Sequence, residues 1–360
     1  MKRVLLLLLA ILALLAAIWA GWLRSGWVWP TLHPSLAAAH GPLMVSAFLG
    51  TVISLERAVA LDKRWTYLVP LITGIGGLLL IFGISWIGGS QLLAVGSLGL
   101  VLLFALIVRQ HPAIYTVVMA GGAIAWFVGN ALQLAGRPIY IVTPWWVAFL
   151  VLTIAGERLE LDRVLRLSRS VIRLFALVVI ILALGIILSV FRYDLGVRLV
   201  GASLILLAGW LLRFDIAGRN LSKNGLTRFI AVCLFSGYLW LGIGGVLWLL
   251  YGGVPAGPIY DAILHSVFLG FVFAMIFGHA PLIFPAILNR PMAYSSLFYL
   301  PLIALHLSLA LRVIGDLIGD LALRRWGGLL NGLTLLLFLL VTASALMAGR
   351  RPSSAPDRVL

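Results

Sequence analysis

The chain is short of acid, of lysine and of cysteine. Its single cysteine, Cys233, excludes an intrachain disulfide. Lysine occurs only as Lys2, Lys63 and Lys223, and glutamate only as Glu56, Glu157 and Glu160. Charged residues make up 10% of the chain, against about a quarter in a soluble domain. No Cys-x-x-Cys-His is present to attach a haem covalently, no His-Glu-x-x-His to hold zinc, and no Walker-type loop to cradle phosphates. Alternating apolar and polar residues, the mark of a membrane barrel, are missing too.

What fills the chain is long, continuous apolar sequence: 63% of residues are hydrophobic and the mean hydropathy is +1.15. In lipid the backbone must satisfy its own hydrogen bonds, so runs of this length imply helices. The expected fold is all-α, a polytopic transmembrane bundle of about twelve helices. The spans are expected near 4–23, 35–57, 66–84, 90–108, 113–134, 143–160, 171–191, 195–213, 228–251, 259–283, 294–314 and 327–348, each close to the ~20 residues a bilayer needs. Lys2-Arg3 before an apolar run is also how a signal peptide starts. The full spanning length, with no small-x-small cleavage site after it, reads instead as a retained first helix. Residues 1–348 then form one transmembrane domain, and 349–360, with Pro352, Ser353, Ser354 and Pro356, a short disordered cytoplasmic tail.

The net charge of +15 comes from 26 basic residues, 23 of them arginine, scattered singly at helix ends. That placement fits lipid headgroups and excludes a nucleic-acid groove. With the N-terminus in the cytoplasm, 19 of the 26 basic residues fall on the inner side, which puts both termini inside. The partner this implies is the lipid bilayer itself.

A weak repeat relates the second, sixth and tenth spans. Phe48, Ile53 and Glu56 recur at the same spacing as Phe149, Ile154 and Glu157, and as Phe271, Ile276 and His279. Three four-helix units would produce this, as would similar composition at helix ends. Ionisable groups in membrane spans are costly. Glu56-Arg57 and Glu157-Arg158 are expected to be helix-end anchors with local charge compensation, or else part of a proton path.

The histidines add a second pattern. His40 and His265 fall at matched depth on the outer side of the second and tenth spans, where two imidazoles can ligate one haem iron from opposite faces. Phe48, Phe268 and Gly270 are the expected cofactor-binding neighbours. His279 and His306 form a less clear second pair of candidate metal ligands, which leaves copper as a lesser alternative. His33 and His111, each before a proline, read as loop residues.

With its twelve spans and the His40-Gly41-Pro42-Leu43-Met44 start of the second helix, the chain resembles subunit I of the haem–copper oxidases. The stretch His265–Pro281 is similar to the NnrS-type membrane proteins, relatives associated with haem, copper and nitric oxide stress in bacteria. The resemblance implies a b-type haem between His40 and His265, a bacterial inner-membrane location, and a role in electron transfer, sensing or nitric oxide defence. A quinol or another respiratory-chain component would be the redox partner. Ile263 stands where oxidases carry the oxygen-binding haem's ligand, and the sixth and seventh spans have no histidine. The resemblance therefore implies neither a terminal oxidase nor a nitric oxide reductase. Two other readings stay open: a small-solute transporter using Glu56, Glu157 and His279, with Gly121-Gly122 and Gly242–Gly245 as candidate helix breaks, and a cofactor-free assembly partner of a respiratory complex.

Overall fold

The computed structural model describes residues 2–165 and 167–349, the side chains of 163 and 164 excepted. The tail expected from Arg350 lies outside the described residues. Twelve helices among them are long and apolar enough to cross a membrane: α1 Lys2–Arg24, α2 Pro42–Leu61, α3 Arg64–Ile81, α4 Trp86–Gln110, α5 Ile114–Leu134, α6 Ile139–Leu161, α7 Arg169–Phe191, α8 Tyr193–Phe214, α9 Gly225–Tyr251, α10 Pro258–Leu288, α11 Ser296–Ile318 and α12 Leu321–Ala348. The protein is an all-α, multi-pass membrane bundle.

Several helices are longer than their apolar cores, because polar residues cap them beyond the apolar run. The Ser85 hydroxyl accepts from Gly88 N–H at 3.0 Å, and the Asp320 carboxylate from Leu323 N–H at 3.0 Å. These caps start α4 and α12 four and six residues before the apolar patterns begin, satisfying first-turn N–H groups that have no partner inside the helix. Helix α10 runs on through Pro281 and Pro285 and stops at Asn289, which is left-handed at φ 50°.

Neighbours in sequence are neighbours in space: α3 packs on α4, α4 on α5, α5 on α6, α7 on α8, α8 on α9 and α11 on α12. Helix α1 lies against α2 and α3 and touches α12, which closes the bundle. The centre belongs to α6, α10 and α2. Their apolar windows are 83%, 67% and 61% buried, against 33–56% for the other nine. These are the three helices related by the repeat.

Buried polar groups tie the centre to the periphery. The Asn130 amide oxygen accepts from Ser46 Oγ at 2.7 Å and Trp146 Nε1 at 3.0 Å, and its nitrogen donates to the Leu93 carbonyl at 3.2 Å. Trp126 Nε1 completes the set on Ser46 Oγ at 3.0 Å. This network joins α2, α4, α5 and α6 and leaves no atom of the Asn130 amide unmatched in character.

Glycine sets the closest approach. On α8 and α9, a Cβ at Gly201 would meet the Gly245 carbonyl oxygen at 2.6 Å, and one at Gly245 would meet the Gly201 carbonyl oxygen at 2.7 Å. Backbone cannot yield as a flexible side chain does. Gly201→Val is expected to destabilise the bundle by about 1–3 kcal/mol, the usual cost of overpacking, read as a lower unfolding midpoint in detergent. Gly209→Ala, on the same helix with open space around it, should leave the midpoint unchanged.

Candidate functional site

Helices α2 and α10 share an unusual construction. Each has a π-helical stretch of eight residues close after its histidine: Pro42–Leu49 after His40 and Ser266–Phe273 after His265. Such turns are rare and occur mostly at functional sites, because the wider winding re-aims side chains. The two stretches end at aromatic rings that meet, Phe48 and Phe273, with centroids 6.0 Å apart.

The imidazoles of His40 and His265 lie with ring centroids 6.3 Å apart and planes 21° from parallel. Each ring is held by one nitrogen. His40 Nδ1 bonds to the Ala17 carbonyl at 2.8 Å, and His265 Nδ1 to the Asp261 carbonyl at 2.9 Å. A carbonyl only accepts, so both rings carry their proton on Nδ1 and keep the Nε2 lone pair. Among the described residues no protein group takes either Nε2. Packing adds to the hold on His40, since a Cβ at Gly21 of α1 would meet its Cε1 at 2.9 Å.

Both imidazoles open onto a cavity of about 520 Å³, within the usual size of cofactor sites. Its lining includes Gly41, Trp146, Phe268 and Phe273, with the exposed Arg24 and Arg137 at its rim and the half-buried Arg312 and Arg324. Two of the four arginines are already committed. Arg312 makes a two-pronged contact with Asp261 at 2.7 and 2.9 Å, and Arg324 forms an ion pair with Asp316 at 3.0 Å. Asp261 thus holds His265 through its backbone and Arg312 through its side chain.

The other expected cofactor neighbours are placed differently. Phe48 lies on the far side of Phe273, facing a second chamber. Gly270 turns away from the cavity, where a Cβ would strike Trp240 at 2.4 Å. His306 is fully engaged: it accepts from Trp240 Nε1 on Nδ1 at 3.0 Å and bonds Ser236 Oγ through Nε2 at 2.8 Å. It has no lone pair left for a metal. His279 bonds the Met275 carbonyl through Nδ1 at 2.7 Å, and Arg158 Nη1 approaches its Nε2 at 3.5 Å. Among the described residues, no three His, Cys, Asp or Glu side chains are grouped to hold a metal ion. His33 caps α3, with Nε2 at 3.1 Å from the Leu80 carbonyl.

At the opposite end of α2, α6 and α10 the charges pair across helices as well as along the chain. Arg57 bonds Glu157 of α6 as well as Glu56, its own neighbour. Arg158 leaves Glu157 and makes a two-pronged contact with Asp215 at 2.7 and 3.1 Å, with side chains 4% and 0% exposed. The expected local compensation of Glu157 by Arg158 is therefore corrected to two interhelical contacts. Removing one partner of a pair so buried strands the other charge, at about 3–5 kcal/mol.

Sequence reasoning missed Asp215, Asp261 and the rim arginines. Each was visible only as an acid or base near a helix end, with nothing in its spacing to name a partner. The π stretches left no signal in the residues.

These features define a class: a multi-pass helical membrane protein whose central helices carry a paired-imidazole cavity at one end and a carboxylate cluster at the other. The chain belongs to the family described as Domain of unknown function (DUF8744), whose profile matches residues 3–347. No curated protein and no solved structure matches it.

Asp162, just past α6, supplies a pH test. Burial and the nearby Asp215 carboxylate push its pKa up to about 7, although Ile216 N–H donates to it at 3.0 Å. A carboxyl raised in the folded state costs stability as pH rises from its unfolded value, about 4, through its folded one. Asp162→Asn, which keeps an acceptor for Ile216, is expected to stabilise the protein by about 1–3 kcal/mol above pH 7. The gain should vanish near pH 4, read from unfolding midpoints across that range.

Proposed function

We propose that the protein binds one b-type haem between His40 and His265 in the bacterial cytoplasmic membrane. The observation that carries the reading is the pair of imidazoles with free Nε2 atoms, 6.3 Å apart by ring centroid. His40 and His265 would hold the group, each through the nitrogen its carbonyl partner leaves free. The donor chemistry agrees, because ligating histidines almost always give their other N–H to a carbonyl or carboxylate, as both do here.

The residues present fit the group. Gly41 and Phe268 offer small and flat surfaces to a macrocycle, and Arg24 and Arg137 stand at the rim to meet carboxylate side groups. Asp261, fixed by Arg312, keeps His265 in its tautomer and orientation. Held by His40 and His265, the group would supply one-electron transfer. That favours electron transfer or sensing, with nitric oxide defence the physiological setting the NnrS resemblance suggests, and a quinol or similar respiratory component as partner.

Protein produced with ample haem should show a sharp reduced α-band. The band should be lost in both His40→Ala and His265→Ala, while a double Arg24→Gln, Arg137→Gln variant keeps the band and releases haem more readily. A haem-free wild type, or a band that survives both histidine substitutions, overturns the reading.

A further inference from the structure

Helix α1 has one glycine, Gly21, and it belongs to the lining of the histidine cavity. Alanine is the better helix former at such a position, so local propensity does not account for a glycine there. Nor does close helix packing of the kind seen between α8 and α9, where each missing Cβ makes room for the other helix's backbone. The three atoms nearest to a Cβ at Gly21 all belong to the His40 imidazole: Cε1 at 2.9 Å, Nδ1 at 3.1 Å and Nε2 at 3.8 Å. The space left by the missing Cβ is taken by the ring itself.

The same turn of α1 makes the ring's other contact. His40 Nδ1 donates to the Ala17 carbonyl at 2.8 Å. That carbonyl lies four residues before Gly21, so by helical geometry it also receives the Gly21 N–H. Carbonyl and bare Cα form one seat for the imidazole. His265 is seated differently, by the Asp261 carbonyl of its own helix. The plane of His265 is therefore set within α10, while the plane of His40 is set by a neighbouring helix. The two planes lie 21° from parallel. A methyl group on Gly21 would either push the His40 ring off its carbonyl or turn it.

From this geometry we infer that Gly21 is a positioning residue of the site: its bare Cα keeps the plane of His40 nearly parallel to that of His265. Groups behind the ligands orient them and tune the metal they hold, and α1 does this for His40. The inference rests on the haem reading.

The experiment compares wild type, Gly21→Ala, His40→Ala and the double variant, each full-length in nanodiscs. The electron paramagnetic resonance of ferric iron between two imidazoles reports the angle between their planes. Wild type is expected to give the rhombic signal of near-parallel rings. Gly21→Ala should shift the signal toward the single large g-value of crossed rings and hold haem about 10–100-fold more weakly. Haem-free protein supplies a second readout. Gly21→Ala should lower the unfolding midpoint when His40 is present and leave it unchanged in the His40→Ala background, where the methyl has room. A rhombic signal unaltered in Gly21→Ala overturns the inference, as does a loss of midpoint or of folding that is equal in both backgrounds. If wild type binds haem and Gly21→Ala matches it, this inference falls alone. If wild type binds none, the proposed function falls and takes this inference with it.

Discussion

Each imidazole of the central pair has one nitrogen spoken for and one left open, and much of the fold serves to keep it so. The Ala17 carbonyl can reach His40 because it lies on the turn of α1 before Gly21, where the absence of a Cβ lets the ring lie against the helix. His265 takes the carbonyl of Asp261 four residues earlier on its own helix. That carbonyl is already the acceptor of its helical turn, so it carries two bonds on its two lone pairs. An imidazole buried without such partners would cost several kcal/mol in an apolar medium. The structure meets that cost at one nitrogen of each ring and leaves the other facing the cavity.

The opposite end of the same helices obeys the same rule with different groups. Arg158 and Asp215 meet in a two-pronged geometry in which nearly every polar atom has a partner, for Asp215 also accepts the Ala217 N–H at 2.6 Å. Such a pair breaks even against desolvation only when its hydrogen bonds are complete. Arg57 is less fully matched: among the described residues its Nε has no hydrogen-bond partner, while its Nη2 serves two carboxylates. The two arginines follow glutamates at equivalent positions of related helices, yet their partners differ. The end of helix α8 delivers an aspartate to α6, whereas Arg57 of α2 is met by Glu56 and Glu157.

Much of the architecture was legible because lipid leaves few alternatives. An apolar run of about 20 residues can only be a helix that spans, so the number and order of the helices followed from hydropathy. His40 and His265 could be paired because helical rise converts a position within a span into a depth. The repeat marked α2, α6 and α10, and these are the central helices. What did not follow was everything set by rotation about a helix axis. Gly270 was placed at the cofactor and faces Trp240; Phe48 was placed beside the histidines and faces the inner chamber. Both lie on π-helical stretches, where more residues complete each turn than in an α-helix. A side chain's direction read at 3.6 residues per turn is then progressively wrong along the stretch. The winding that defeats the sequence reading is the same feature that builds the site.

That winding also sets how the two chambers relate. Phe273 and Leu335 line both, so a single layer of side chains divides the histidine cavity from the carboxylate chamber. Each π stretch begins close to its histidine and ends at the aromatic ring of that layer. Rewinding either stretch toward an α-helix would turn its ring relative to its histidine, because both ride on the same few turns. The rings of Phe48 and Phe273 are 7% and 3% exposed, so both are buried within the bundle. The layer between the two chambers is where the histidine end and the carboxylate end of the central helices adjoin.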